Sequence, residues 1–324
     1  MDLVLDVRDM NVTYRQKKKA VKAVAHVSFT LARGDSLGIV GESGSGKSTL
    51  AMGILGLLPE KTAEVSGKAF FLGSTELLGM TQEERNRIRW TQMAVVFQNA
   101  MNALSPVHRI HTIFEDIYHV HEPSADKETI KARTTELLRL VNLPERVYNL
   151  YPHEMSGGMS QRVAIALSLL HHPQLLIFDE ATTALDVVTQ GQILEEIVNM
   201  EQTLHTTRIM ITHDMSVVAS SCKQIAVMYA GELLETGRVA DVMKHPQHPY
   251  TEALLEAFPA LRGEQHRLSS IPGVLPDLAE AHPACIFAPR CPYAGARCKR
   301  EKPQLLPQEG GSQVKCFRYE GGVS

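Results

Sequence analysis

Basic residues do not outnumber acidic ones in this chain: Lys and Arg total 33 against 36 Asp and Glu, a formal net charge of −3. A nucleic-acid surface needs a basic excess, and an anionic lipid surface needs a polybasic run; neither is present, so no nucleic-acid partner is expected. The one basic cluster, "RQKKK" at Arg15–Lys19, is short and reads as a solvated loop. No stretch approaches the ~18 apolar residues that would cross a bilayer. The opening "MDLVLDVRDM" has neither a basic n-region nor a long apolar h-region. The chain is therefore expected to be made in the cytosol and to stay there, with the option of resting on a membrane protein. There is no internal repeat. Cysteine is scarce, and four of the five crowd into the tail as Cys285, Cys291, Cys298 and Cys316. In a reducing compartment such a cluster points to metal or redox chemistry before disulfides.

The composition is that of a globular protein with a core: 324 residues, 44% hydrophobic and 21% charged. That length suits one large domain with an appendage. "LVLDVRDMNVTY" and "VAHVSFTLARGD" read as strands, the second ending at a Gly-Asp turn. "SLGIVG" is a short buried strand and "KSTLAMGILGLL" a helix with one apolar face. "MAVVFQ" (Met93–Gln98) is another buried strand. Residues 111 to 150 change character: "KETIKARTTELLRLVNL" offers Leu137, Leu138, Leu140 and Val141 to one helical face, which predicts a helical insert. Strands return at "LLIFDE" (Leu175–Glu180), "RIMITHD" (Arg208–Asp214) and "QIAVMYAG" (Gln224–Gly231), with helices between them. This alternation predicts an α/β fold with parallel strands. After Pro249 a helix, "TEALLEAF", leads into a Pro-rich irregular tail.

"GESGSGKST" (Gly41–Thr49) fits G-x-x-x-x-G-K-[ST] at every fixed position, after a predicted strand and at the head of a predicted helix. Glycines let the backbone wrap a phosphate without a Cβ clash. Successive N–H groups and the helix N-terminus then face the anion. Gly41, Ser43, Gly44, Ser45, Gly46, Lys47, Ser48 and Thr49 are thus the candidate nucleotide ligands, with Lys47 reaching the terminal phosphates and Ser48 placing a hydroxyl on Mg²⁺. Far along the chain, "LLIFDE" is an apolar strand ending in two carboxylates. Asp179 suits Mg²⁺, and Glu180 suits polarisation of an attacking water. Phosphate loop and acidic strand end together predict an NTPase.

"MSGGMSQR" (Met155–Arg162), a Ser-Gly-Gly turn opening a helix upstream of the acidic strand, closely resembles the signature of ATP-binding cassette proteins. The family's other motifs stand in its usual order: Tyr14 in "VTY" where an aromatic stacks on adenine, Gln98 as the Q-loop glutamine, "TALD" (Thr183–Asp186) as the D-loop, and His213 in "ITHD" as the switch histidine. Singly, Tyr14 would read as a strand aromatic, His213 as a structural histidine and Gln98 as a loop residue. The resemblance implies a RecA-like core with a mixed sheet plus a helical subdomain at about 100–165, within a nucleotide-binding domain of residues 1–250. It implies ATP and Mg²⁺ as ligands, Gln98 and Asp179 at the metal, and Glu180, Gln98 and His213 in catalysis. Two subunits would sandwich two ATP molecules head to tail. Ser156, Gly157 and Gly158 would then face the partner's γ-phosphate, with Asp186 at the junction. One departure stands in "EATTALD": Ala181 occupies a position where the family usually has proline.

"HPQHPYTEALLEAFP" (His245–Pro259), "IPGVLPDL" and "CIFAPRCPYAGARC" resemble the segment after the cassette in ATPases of dipeptide, oligopeptide and nickel importers. "QNAMNALSPVHRI" is similar to the same subgroup but departs from its usual Asp-Pro and Thr-Ser-Leu-Asn-Pro at Asn99–Ser105, a region that docks on permeases. The resemblance implies a second ATPase subunit in a heterodimer, two transmembrane permease subunits and an extracytoplasmic solute-binding protein. It places the chain peripherally on the cytoplasmic face of the inner membrane. The alternatives are a nickel or metal-chelate importer, a cassette protein without a permease, and a regulatory partner that does not hydrolyse; intact Glu180 and His213 speak against the last. The cysteine spacings, x5, x6 and x17, lack the paired C-x₂-C knuckles of a zinc ribbon. Four thiolates suit [4Fe–4S], and some members of the subgroup carry such a cluster in this tail. A cluster is therefore expected first, Zn²⁺ second and inert thiols third, stapling an extension (251–324) too small for its own core. Cys222 is expected to be a bystander, and His245 and His248 to pack or cap rather than bind metal. The phosphate site is expected to be built without the tail.

Overall fold

A computed structural model describes residues 2–16, 19–98, 104–183, 185–257 and 271–320. Lys17 and Lys18, most of the divergent stretch after Gln98, Ala184 of the D-loop and Phe258–Pro259 lie outside these residues. The chain divides into two compact units, Met1–Gly79 with Met210–Ser324, and Met80–Ile209.

The first unit opens with β1 (Leu3–Gln16) and β2 (Lys19–Ala32), paired antiparallel with Leu5 opposite Leu31 and Tyr14 opposite Val21. Only two residues separate them, which suits an antiparallel pair, since a parallel pair needs a crossover of a dozen or more. Strand β3 (Ser36–Val40), buried at all five positions, runs into α1 (Lys47–Ile54). The apolar run continues to Leu58, yet the helix stops because Leu55 caps it and Gly56 turns left-handed at φ 62°. Strands β4 (Ala63–Phe71) and β5 (Thr75–Glu76), which the sequence reading did not single out, extend the hairpin into a four-stranded sheet ordered β2-β1-β4-β5.

The second unit begins with α2 (Gln82–Ile88), started by a capping box in which Thr81 and Glu84 satisfy each other's backbone N–H groups. Strand β6 (Met93–Phe97) precedes the predicted insert, which consists of α3 (Ile110–His121), α4 (Lys127–Leu140) and a 3₁₀ turn at Glu145–Asn149. Leu137, Leu138 and Val141 are buried as the helical spacing predicts, while Leu140 is half-buried. Helix α5 (Gly157–Ser168) leads to β7 (Leu175–Asp179), which lies parallel to β6 with Phe97 opposite Asp179. Helix α6 (Val187–Leu204) follows, and β8 (Thr207–Thr212) carries the chain back into the first unit.

There, α7 (Met215–Ser221) precedes β9 (Gln224–Tyr229), which pairs parallel with β3. Ala230 and Gly231, both at positive φ, form the two-residue turn into β10 (Glu232–Arg238), antiparallel to β9. Parallel and antiparallel pairing thus coexist, as a mixed sheet requires. Helices α8 (Val239–Lys244) and α9 (Pro249–Glu256) follow. His248 caps α9: its Nδ1 accepts from the Tyr250 N–H at 3.0 Å, with Pro249 at the first helical position. The described part of the tail contains β11 (Leu306–Pro307) and β12 (Gln313–Val314), the latter pairing with β10, and 3₁₀ turns at Glu309–Gly311 and Phe317–Tyr319. Its Ile286 and Phe287 are buried among Tyr229, Tyr250 and Leu254 of the first unit's core.

Candidate functional site

The phosphate loop hangs between β3 and α1 in a conformation that excludes side chains at two points. A Cβ on Gly41 would come within 2.0 Å of the Met228 carbonyl oxygen, and one on Gly46, at φ 98°, within 2.2 Å of that of Ala23. Lys47 is almost fully buried. Its Nζ donates to the Gly41 carbonyl at 2.8 Å, to the Glu42 carbonyl at 2.9 Å and to Ser45 Oγ at 3.4 Å. The ammonium therefore sits inside the loop, held by oxygens that a phosphate can replace. Ser43 and Gly44 are exposed at the rim, Ser45 is buried beneath, and Ser48 and Thr49 occupy the first turn of α1 half-buried. In the same unit Tyr14 sits in β1, between Val21 and Ala63 on the neighbouring strands. His213 is exposed at the end of β8.

The loop has further supports that sequence reasoning missed. Glu42 donates its backbone N–H to the Tyr250 hydroxyl at 3.0 Å. Its carboxylate accepts from Arg290 Nη1 at 3.0 and 3.1 Å on its two oxygens. Arg290 lies in the tail between Cys285 and Cys291, so the expectation that the phosphate site is built without the tail is corrected. Glu42 falls on a variable position of the motif and its partner lies 248 residues away, a separation no local pattern encodes.

In the second unit, Asp179 ends β7 buried and Glu180 follows at φ 50°, a left-handed conformation that costs a non-glycine residue strain. The Gln98 amide donates to Thr183 Oγ1 at 3.0 Å, and that hydroxyl donates to the Glu180 carbonyl at 2.9 Å. Q-loop glutamine and acidic strand end thus share one short chain of hydrogen bonds. Ala181 is buried where the family usually has proline. Ser156 caps α5, its Oγ accepting from the Met159 N–H at 3.3 Å, and Gly157 and Gly158 form the first turn. A Cβ on Gly158 would lie 2.7 Å from Thr189 Cγ2. Asp186 caps α6 by accepting from the Thr189 N–H at 2.9 Å and its hydroxyl at 2.7 Å. Those bonds hold its carboxyl below the usual carboxylate range. Signature turn and D-loop aspartate therefore meet at Thr189.

All four tail cysteines are half-buried free thiols. Burial first, and the neighbouring cysteines after it, push the thiols of Cys285, Cys291 and Cys316 up; Cys298 acts on all three. The Cys285 N–H donates to the Cys298 carbonyl at 3.1 Å. Among the described residues no group of three or more His, Cys, Asp or Glu side chains is placed to hold a metal ion.

Two family models match the chain: ABC transporter over residues 24–183, and oligopeptide/dipeptide transporter, C-terminal region, over residues 234–298. The probable peptide ABC transporter ATP-binding protein y4tR of Sinorhizobium fredii is 42% identical, covering 98% of this chain and 95% of that protein. The oligopeptide transport ATP-binding protein OppD of Haemophilus influenzae is also 42% identical, covering 98% of each chain. Among solved structures, the dimeric post-hydrolysis ATP-binding cassette MJ0796 bound to ADP and Pi matches with a TM-score of 0.65 at 26% identity, over 72% of this chain and 98% of that one. The cassette CbiO1 of Clostridium perfringens, part of the ABC transporter complex cbiONQ, matches with a TM-score of 0.64 at 25% identity, over 76% of this chain and 92% of that one. With the phosphate loop, signature turn and acidic strand end in place and full-length relatives at this identity, the chain belongs to the ATP-binding cassette family of transport ATPases, in the group that carries the oligopeptide/dipeptide transporter C-terminal region.

Proposed function

We propose that the chain is the ATP-binding and ATP-hydrolysing subunit of a bacterial importer for dipeptides or oligopeptides. The observation that carries this reading is its end-to-end similarity to peptide-transport ATPases, tail included. The working assembly is a heterodimer with a second cassette ATPase, bound to two permease subunits on the cytoplasmic face of the membrane and served by an extracytoplasmic solute-binding protein. No helix among the described residues is long and apolar enough to cross a membrane, so the chain relies on those permeases for passage. Residues 1–250 are the nucleotide-binding domain and 251–324 the extension.

Tyr14 stacks on adenine, and the phosphate-loop backbone with Lys47 takes the β- and γ-phosphates. Lys47 exchanges loop carbonyls for phosphate oxygens as it binds. Ser48, Asp179 and Gln98 supply hard oxygen donors suited to Mg²⁺, and the buried Asp179 is the strongest of them. When bound, Mg²⁺ would supply neutralisation of phosphate charge. Glu180 orients the attacking water, and His213 holds the γ-phosphate. Gln98, bonded to Thr183, is linked through that hydroxyl to the Glu180 carbonyl. Ser156, Gly157 and Gly158 present a helix N-terminus to the partner's nucleotide, beside Asp186.

For the tail we propose a [4Fe–4S] centre on Cys285, Cys291, Cys298 and Cys316, with Zn²⁺ as the alternative. What supports the reading is the donor chemistry, four half-buried free thiols in one short tail, which are not drawn into a preformed metal site among the described residues. A single zinc holds its thiolates ~3.8 Å apart, from a Zn–S bond of about 2.3 Å. A four-iron cluster gives each cysteine its own iron and tolerates a wider spread. When bound, the cluster supplies a structural staple. The deciding experiment is anaerobic purification with the permease and partner subunits. Brown protein with about four irons per chain, MgATP-dependent dimer closure and peptide-stimulated turnover support the whole reading. One zinc, or two copies of this chain without a second cassette, overturns the corresponding part.

A further inference from the structure

Arg290 is held on every side of its guanidinium. Nη1 bridges both oxygens of Glu42 and lies 3.4 Å from the Tyr229 hydroxyl, Nη2 donates to the Ile271 carbonyl at 3.0 Å, and Nε donates to that of Pro272 at 2.8 Å. Its side chain is 4% exposed. The turn that carries it is fixed by the Ala288 N–H donating to the Cys285 carbonyl at 3.0 Å and the Arg290 N–H donating to that of Phe287 at 3.0 Å. Phe287 wedges that turn into the core, with ring centroids 5.3 Å from Tyr229 and 5.4 Å from Tyr250. At the other end Glu42 is tied three ways: its carboxylate to Arg290, its N–H to Tyr250, and its carbonyl to Lys47. The residue that touches Lys47 is therefore the residue the cysteine turn grips.

We propose that Arg290 is a positioning residue for the phosphate loop, acting through Glu42, and that the Cys285–Cys291 turn thereby sets the affinity for nucleotide. The proposal rests on the ATP-binding reading above. A buried arginine whose carboxylate partner is removed is left uncompensated, so the contact resists slipping and holds Glu42 in one place. Holding Glu42 fixes the start of the loop that must cup the phosphates. The cysteine turn, fixed by its own backbone hydrogen bonds, then favours a loop ready for phosphate. Lys47 and Ser48 remain the groups that meet the nucleotide; Arg290 acts at one remove.

The test uses the full chain and a fluorescent ATP analogue with Mg²⁺. Arg290→Gln and Glu42→Gln should each weaken binding by about 10-fold, and the double variant should be no worse than the weaker single, the signature of one shared contact. Arg290→Lys should recover part of the loss. In the assembled transporter KM for ATP should rise while kcat at saturation stays within about 2-fold, because the lost term is binding common to ground and transition states. Cys291→Ser should weaken binding in the wild-type background and add nothing in Arg290→Gln. Unchanged affinity in both single variants, or losses that simply multiply in the double, would overturn the proposal. Should Arg290→Gln fail to fold, Glu42→Gln, which alters the more exposed partner, decides alone. A wild-type chain that binds no nucleotide overturns the underlying reading instead, and the proposal with it.

Discussion

Replacing Phe287 by alanine tests whether the tail is structurally part of the first unit. The ring is 1% exposed and packs against Tyr229, Tyr250 and His248, the last at 5.6 Å. Truncating a fully buried phenylalanine costs about 3–5 kcal/mol, and each aromatic pairing lost adds about 0.5–1.5 kcal/mol to what area alone would give. For a unit of this size each kcal/mol lowers the melting midpoint by about 2–4 °C, so a fall of about 6–20 °C is expected. The assay is thermal unfolding followed by near-UV circular dichroism in the tyrosine band, since Tyr229 and Tyr250 lose a packing partner. Limited proteolysis at a temperature below the transition gives a second readout, with new cleavage expected between residues 271 and 320. Phe287→Leu, which refills most of the volume, should recover more than half of the loss. A midpoint lowered by less than about 2 °C and an uncut tail would refute the argument, because they would show the aromatic cluster to be dispensable.

Glu180→Gln should retain MgATP and lower turnover by at least about 100-fold, measured by phosphate release, because the water loses its orienting base. Lys47→Ala should abolish binding of the fluorescent analogue. Burial first, then the positive charges of Arg318 and Lys315, hold the His248 imidazole near a pKa of about 3, against 6.5 for the unperturbed group. The unfolded chain therefore binds the extra proton first as pH falls below 6.5, and stability drops through that window: about 2 kcal/mol between pH 6.5 and 5. His248→Asn, which keeps a capping acceptor and loses the titration, should flatten that part of the urea-midpoint profile. On the proposed [4Fe–4S] reading, Cys222→Ser should leave the iron content of anaerobic protein unchanged, whereas Cys298→Ser should abolish it.

The phosphate loop, the signature turn and the acidic strand end were legible because each is a local pattern: a strand, a turn chemistry and a helix start within a dozen residues. The helical insert was legible through the spacing of Leu137, Leu138 and Val141. Strand direction was legible as well: the continuous apolar runs that alternate with helices, β3 with β9 and β6 with β7, pair parallel, while β1 and β2, joined by a two-residue link, pair antiparallel. Strand β4 went unread because "AEVSGKAFF" is half exposed and interrupted by Gly67, which sits at φ 103° against the Asp9 backbone. The support for the phosphate loop was invisible for a different reason. Glu42, Tyr250 and Arg290 are ordinary residues in sequence and acquire meaning only when β9 and the tail return beside β3. His245 and His248 were expected to pack or cap; His248 is the one whose side chain caps a helix, with Pro249 at the first helical position.

The first unit is discontinuous, and that has a consequence for how the protein is made. Glu42 and Arg290 are 248 residues apart. At about 5–20 residues per second, a ribosome delivers the arginine roughly 12–50 s after the glutamate. For most of that interval the nascent chain has a complete phosphate-loop motif without β9 and Tyr250, and until its end it lacks the turn that carries Arg290. On the proposal that Arg290 positions the loop, high affinity for nucleotide arrives only once the chain reaches Arg290, well after the signature helix and the acidic strand end have emerged. A chain released before that point would carry every motif by which such ATPases are recognised and, on the same proposal, would hold its ligand loosely.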